Sequence, residues 1–409
     1  MAPNPNEISQ WYQDQVVFLT GGTGTLGGCL LYKLALQVCA KKIFVLCRGS
    51  VHEAIEKLED SMPDEAHNIL DTQKVSFVVG DVTESNLGLR GADLQQLQAQ
   101  VTVVINCAAS VSLLQNQQGS VTSNCLPHLR LMKLLRNFSK LKTLLHVSTA
   151  FVNSFLPGGR VEERIYDIYD DKECPANDLH SIISTGHSQY NSQFPAPYAH
   201  AKYIAERLIL ENPCLFSVLI VRPSNIGPAI RDPAPFYGLD MTIPMHSYVQ
   251  FLLSSSDTDV RNLDDILPPQ HIVDEIPVDL VANTCLLHLA SGTTGIVQAA
   301  ANLYIPRTSA DIQRLVDDHL SPELEEELRT VGYSQNPELA KYFTRMFERF
   351  CRNWDFDCGR SESLKGIDGP LSLSLEGHDP EQYAKVRIQA VARRLRASFK
   401  NSGKPSSVT

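Results

Sequence analysis

The chain has 409 residues, 43 % of them apolar, which is enough for one large α/β domain with an extension or for two or three separate units. Thirty-six Lys and Arg stand against 46 Asp and Glu, a net charge of −10 that repels phosphate backbones on average and excludes general nucleic-acid binding. Ten cysteines without a C-x-x-C pair fit neither a disulfide scaffold nor a zinc ribbon, and no apolar leader or long apolar run occurs, so a cytoplasmic protein without a transmembrane segment is expected.

Val16–Leu19 is a short apolar block, followed by the glycine-rich stretch 21–28 and by Leu30, Leu31, Leu34 and Leu36 at helical spacing. This pattern predicts strand, tight loop and helix. Further blocks at 43–46, 75–79, 101–105, 143–147 and 216–221 are apolar on both faces, as buried parallel strands are. Helix-like segments at 51–61, 92–99, 124–137 and 198–211 separate them. The alternation predicts an α/β fold, a doubly wound parallel-sheet (Rossmann) domain over 1–228. Within it, 154–197 is polar, rich in Pro, Gly, Asn and Ser, and too long for a plain connection, so it is expected to be an active-site loop. Prolines break 229–270 into short apolar pieces and predict an irregular substrate-binding region. A helix at 278–289 and a strand at 296–304 then return the chain to the sheet, completing a region 229–305. Charged amphipathic segments at 308–320, 322–330, 336–353 and 380–399 predict a helical C-terminal domain over 306–409.

The loop from Thr20 to Gly27 places G-x-x-G-x-x-G between the first strand and its helix. Gly21 permits the tight turn, Gly24 lets the backbone approach a pyrophosphate, and Gly27 lets the helix pack closely, while the helix N-terminus offers unpaired N–H groups. Gly21, Thr23, Gly24, Thr25, Leu26 and Gly27 are therefore candidate dinucleotide contacts. Arg48 follows the second strand where an acid would suit NAD, and an arginine there suits a 2′-phosphate, which predicts NADPH. Asp81 and Val82 after the third strand would bracket the adenine. Asn106, Ala108 and Ala109 after the fourth would lie beside the cofactor, although both segments also suit plain turn chemistry. Cys107 between them reads as a small buried filler.

Tyr198 and Lys202 are four residues apart, which puts phenol and ammonium on one helix face. Ser148 and Thr149 end the fifth strand at the sheet edge where ligands of such folds sit, so hydroxyl, phenol and ammonium converge beside a nicotinamide. The ammonium and the oxidised cofactor are expected to draw the Tyr198 pKa down from about 10. His146 reads as a hydrogen-bonded core histidine, and His200 points off the catalytic face. Twelve histidines without H-E-x-x-H or clustered carboxylates support no metal site. Lys385, Arg387, Arg393, Arg394 and Arg396 of the tail helix read as a solvated face.

With these motifs in order, the sequence resembles the extended short-chain dehydrogenase/reductases, and more narrowly the NADPH-dependent fatty acyl-CoA reductase and thioester reductase group. The likeness runs through Val17-Phe18-Leu19-Thr20-Gly21, Gly80-Asp81-Val82-Thr83, Asn106-Cys107-Ala108-Ala109, His146-Val147-Ser148-Thr149-Ala150, Tyr198 with Lys202, Val221-Arg222-Pro223-Ser224 and Asp274-Glu275-Ile276-Pro277-Val278-Asp279. It implies that Thr149 is the triad hydroxyl, with Ser148 its less favoured neighbour, and that Tyr198 and Lys202 complete the set. Pro223 and Ser224 would line the cofactor site. The implied reaction is reduction of an acyl thioester, carried by coenzyme A or a carrier protein, to an aldehyde or on to the primary alcohol. The rival reading keeps the fold and acts on a ketone, carbinol or nucleotide sugar, as a dehydrogenase, epimerase or dehydratase.

Overall fold

The computed structural model describes residues 5–169, 173–212, 214–254, 267–335, 344 and 347–401. Seven parallel strands form the central sheet: β1 (Val16–Thr20), β2 (Lys42–Cys47), β3 (Val75–Val79), β4 (Val103–Asn106), β5 (Thr143–Val147), β6 (Ser217–Pro223) and β7 (Gly295–Ala299). Their order is β7-β6-β5-β4-β1-β2-β3. The first six fall on the six predicted blocks, and helices on both faces explain why those blocks carry no polar alternation. The order reverses between β1 and β4, which opens a crevice beyond their carboxyl ends. Register pairs Thr20 with Asn106 and Asn106 with His146, so the ends of β1, β4 and β5 share one row.

The predicted strand at 296–304 is shorter than its apolar run. It ends at Ala299, and a 3-10 turn covers Ala301–Leu303, where the Asp274 carboxylate accepts from the Ala301 N–H at 2.9 Å. The segment 154–197 carries structure of its own, a short strand Gly159–Val161 and a helix Pro175–Thr185. Trp354–Phe356 pairs in parallel with that short strand and ties the C-terminal region to it. The region after 229 is irregular as far as 243. Pro244–Ser254 is a helix, and its Val249, Phe251 and Leu252 are buried in one cluster with Ile312, Leu315 and Val316 and with Ile388, Val391 and Ala392. Residues 255–266 and most of the predicted helix 336–353 lie outside the described residues.

On the tail helix Pro380–Asn401, Lys385, Arg393, Arg394 and Arg396 are exposed as a solvated basic face requires, and Arg387 departs from it. Arg387 is buried, forks onto the Glu275 carboxylate at 2.5 and 3.0 Å, and donates to His246 Nε2 at 2.6 Å. Among the described residues no helix is long and apolar enough to cross a membrane.

Candidate active site

The glycine loop leaves β1 at Gly21, whose φ of +73° a side chain would strain. A Cβ on Gly21 would also stand 2.9 Å from the Ala108 nitrogen, and one on Gly27 2.0 Å from the Gly21 carbonyl oxygen. Only glycine allows these two close approaches. Gly24 is the N-cap of the helix Thr25–Tyr32 and supplies no side-chain cap, so its first-turn N–H groups stay available to an anion. Thr23 is half-buried, Gly24 and Thr25 are exposed, and Leu26 and Gly27 are buried. The loop thus presents backbone outward and packs its apolar side inward.

Arg48 is exposed at the end of β2, and its charge reaches the Asp81 carboxylate after β3. Asp81 accepts from the Thr83 N–H at 2.8 Å and the Thr83 hydroxyl at 2.7 Å. Against the cost of partial burial, these bonds hold its carboxyl below the usual range. Val82 packs against the apolar cluster under β3. Asn106 differs from the sequence expectation in kind. Its side chain is buried and committed to Thr20, His128 and His146, so it reaches the crevice only through them. Ala108 is half-buried and Ala109 exposed beyond it.

Thr149 follows β5 and is buried; its hydroxyl donates to the Pro223 carbonyl at 3.4 Å and accepts from the Phe151 N–H at 3.3 Å. Ser148 is buried as well, with a hydroxyl that has no hydrogen-bond partner, while its N–H donates to the Val221 carbonyl at 2.7 Å. Pro223 therefore sits beside the candidate hydroxyl, and the buried Ser224 beside it donates its N–H to the Ala299 carbonyl.

The helix Pro197–Leu210 begins one residue before Tyr198, with Pro197 at a position where a missing N–H costs nothing. Lys202 is buried and donates to the Val147 carbonyl at 2.8 Å, which pins the helix against the end of β5. Burial lowers its ammonium to about 8, opposed by Glu206 and by Cys107. Burial and the nearby Cys107 sulfur push the Tyr198 phenol up to about 12. That is the reverse of the downward shift expected from the Lys202 ammonium and the oxidised cofactor, because desolvation of the phenolate dominates in the chain by itself. Cys107, at the end of β4, acts electrostatically on both side chains, which places the β4 end beside Tyr198 and Lys202.

His200 does point off that face. Its Nε2 donates to Asp178 at 2.8 Å, Gln117 donates to its Nδ1 at 2.7 Å, and its ring stacks on Phe194 at 4.5 Å. Asp178 lies on the helix Pro175–Thr185, so this pair fastens the 154–197 segment to the Tyr198 helix.

Sequence reasoning missed the strap that crosses the glycine loop. Tyr237 donates to the Thr25 carbonyl at 3.0 Å, and a Cβ on Gly28 would stand 2.3 Å from the Tyr237 hydroxyl. The same strap is held by Lys33 on Asp232 at 2.7 Å and by the Asp279 carboxylate, which accepts from the Ile230, Arg231 and Asp232 N–H groups. The one available signal was Gly28, a glycine beyond those that the phosphate turn needs.

The sequence matches the family described as male sterility protein over residues 19–285. The chain belongs to this family. Fatty acyl-CoA reductase 1 of Xenopus laevis is 26 % identical over 298 residues, covering 68 % of this chain and 55 % of that protein. The chain thus spans about half the length of the curated relatives it matches. Among solved structures, the terminal R domain of the myxalamid PKS-NRPS pathway superposes with a TM-score of 0.67 at 19 % identity, covering 94 % of this chain and 91 % of that one. Gre2 of Candida albicans in complex with NADPH gives 0.58 at 13 % identity over 92 % of this chain and 99 % of its own. At those identities the structures share only the fold with this member of the male sterility family, a Rossmann-type α/β architecture with a helical C-terminal region.

Proposed function

We propose that this chain is an NADPH-dependent reductase of acyl thioesters that yields an aldehyde, with coenzyme A or a carrier protein as the thiol. The observation that carries the reading is the Lys202 ammonium bonded to the Val147 carbonyl at the end of β5, two residues before Thr149 and one helical turn from Tyr198, in a sheet whose first helix has an uncapped N-terminus behind a glycine loop. The residues fit a dinucleotide. Gly21, Gly24 and Gly27 form a cradle that side chains would fill, the first-turn N–H groups of Thr25–Tyr32 suit a pyrophosphate, and exposed Arg48 suits a 2′-phosphate. When bound, the dihydronicotinamide supplies hydride.

The chain's own residues manage the charge. Hydride addition to a thioester carbonyl leaves negative charge on its oxygen, which the Tyr198 hydroxyl would hold together with the Thr149 hydroxyl once that proton leaves its long 3.4 Å bond to the Pro223 carbonyl. Tyr198 is held protonated at neutral pH, the form that reduction requires, and gives its proton to that oxygen. Lys202 has one donor on the Val147 carbonyl and keeps two more for the cofactor ribose and the phenol. Collapse of the hemithioacetal expels the thiol. The half-buried Leu113 and the exposed Val111 and Leu114 line the loop between Ala108 and the His200-bound Gln117, where an acyl chain would lie.

The test is NADPH consumption against a panel of acyl-CoA and acyl-carrier thioesters, with thiol, aldehyde and alcohol assayed together and Tyr198→Phe as control. Stoichiometric thiol release that the variant loses supports the proposal. NADPH binding with no thiol release from any thioester refutes it and returns the ketone and carbinol substrates to first place.

A further inference from the structure

Asn106 is 2 % exposed, His128 2 % and His146 fully buried, and the three side chains form one cluster beneath the crevice. Its proton pattern follows from the backbone. The Thr20 hydroxyl accepts from the Cys107 and Ala108 N–H groups, each at 3.2 Å, so its own proton must go elsewhere, and it goes to Asn106 Oδ1 at 2.8 Å. The Asn106 amide is thereby fixed with its nitrogen facing the histidines. Its two N–H groups meet His128 Nδ1 at 3.0 Å and His146 Nδ1 at 3.1 Å. Both ring nitrogens must be acceptors, so both imidazoles are neutral Nε2–H tautomers. Burial, with the Lys202 charge adding to it, keeps their pKa values well below 6.5, which agrees with that assignment. The rings meet edge to face at 4.5 Å, and neither Nε2 has a hydrogen-bond partner. The amide of Asn106 alone therefore selects the tautomer of each.

The cluster ends at the cofactor side of the sheet. Gly21 stands against Ala108 so closely that a Cβ would be 2.9 Å from its nitrogen. Any slip of the Cys107-Ala108 backbone therefore moves into the first glycine of the loop.

We propose that His128 and His146 are a pair of positioning residues for the dinucleotide, which act through Asn106 and the Thr20 hydroxyl to hold the Cys107-Ala108 backbone against Gly21. The inference rests on the dinucleotide reading of the site but not on the thioester. His146 thereby has a use beyond filling the core, and His128 on the helix Leu126–Leu135, which the motifs did not single out, acquires one.

The test compares NADPH affinity, read by quenching of protein fluorescence, in His146→Leu, His146→Asn, Thr20→Val and the double variant Thr20→Val/His146→Leu. Each break in the chain leaves a buried donor or acceptor unpaired, so His146→Leu and Thr20→Val should each weaken NADPH binding about tenfold. His146→Asn should stay within about threefold of the parent, because its Oδ1 can accept where Nδ1 accepted. The double variant should be no weaker than the weaker single one, since one chain can be broken only once. Additive losses, or an unchanged affinity in His146→Leu, would overturn the proposal. Nitrogen-15 NMR of the histidine-labelled parent is the second readout and needs no cofactor. Two imidazoles with bare Nδ1 and protonated Nε2 that change in Thr20→Val support it, and a protonated Nδ1 on either His128 or His146 refutes it. If the parent binds NADPH but releases no thiol, the reductase reading fails while these binding results still decide the histidine pair.

Discussion

Glu206→Gln is the perturbation that separates a structural carboxylate from one that sets the chemistry. Glu206 lies one helical turn beyond Lys202, and its carboxylate receives the Arg222 guanidinium at 3.0 and 3.1 Å with both side chains 2 % exposed. Removing one charge from such a pair strands the other in a dry interior and costs about 3–5 kcal/mol. The second consequence falls on Lys202, where the Glu206 charge opposes the lowering by burial. At the roughly 6 Å between side chains one helical turn apart, two unit charges at an effective dielectric of about 20 interact by about 2.8 kcal/mol, or about 2 pKa units. The opposite charge of Arg222 cancels part of this and leaves about one unit. The Lys202 ammonium, lowered to about 8 in the parent, should then titrate near 7. Activity that needs the ammonium falls as pH rises through that pKa, so the alkaline limb of kcat/KM should move down by about one unit in Glu206→Gln. The assay is a pH–rate profile on the best thioester beside a thermal unfolding curve. A lower unfolding midpoint with an unmoved alkaline limb would refute the coupling and leave Glu206 a purely structural partner of Arg222.

Lys202→Met should abolish turnover yet unfold no more easily than the parent at pH 7. Burial lowers the ammonium from 10.5 to about 8, so between those values the unfolded chain binds more protons and parent stability rises with pH. That rise, about 3 kcal/mol over 2.5 units, should be missing from the stability–pH curve of the variant. Arg48→Ala should weaken NADPH binding by ten- to a hundredfold while leaving NADH unchanged, the loss of about 1.5–3 kcal/mol for one charge-assisted contact; equal losses for both cofactors would count against a 2′-phosphate contact. Asp279→Ala deprives three backbone N–H groups of their acceptor and should lower the unfolding midpoint by the equivalent of about 2–4 kcal/mol, with the NADPH KM raised because the strap over Thr25 loosens. Leu114→Asp should raise KM for long acyl chains more than for short ones and leave kcat within about twofold.

What could be read from the sequence was whatever repeats a local rule. Six strands announced themselves because parallel strands buried on both faces are unbroken apolar runs, and the glycine loop because two of its close contacts tolerate no Cβ. Tyr198 and Lys202 were legible from a single helical turn. The seventh strand was read too long because Ala300, Ala301 and Leu303 are as buried as the strand itself, while the turn after Ala299 is held by local backbone bonds and by the Asp274 carboxylate, remote in sequence. The direction of the Tyr198 shift was misread for a related reason. The sequence displays the charge of Lys202 but not the desolvation that acts on both groups, and in the folded chain that ammonium is spent partly on the Val147 carbonyl.

The same limit hid the residues that join one part of the site to another. Thr20, Asn106, His128 and His146 come from four separate elements and meet only because the strand order places β1, β4 and β5 side by side. Lys33 and Asp232, or Tyr237 and Thr25, are about 200 residues apart in the chain, and no periodicity links them. A sequence motif records a residue's relation to its own strand or helix, whereas the position of a cofactor depends on distances between elements. Those distances are held here by buried polar side chains whose partners must all be present at once. A substitution in one of them should therefore change binding without touching any ligand, which is why the coupling between Thr20 and His146 tests the site more sharply than either residue alone.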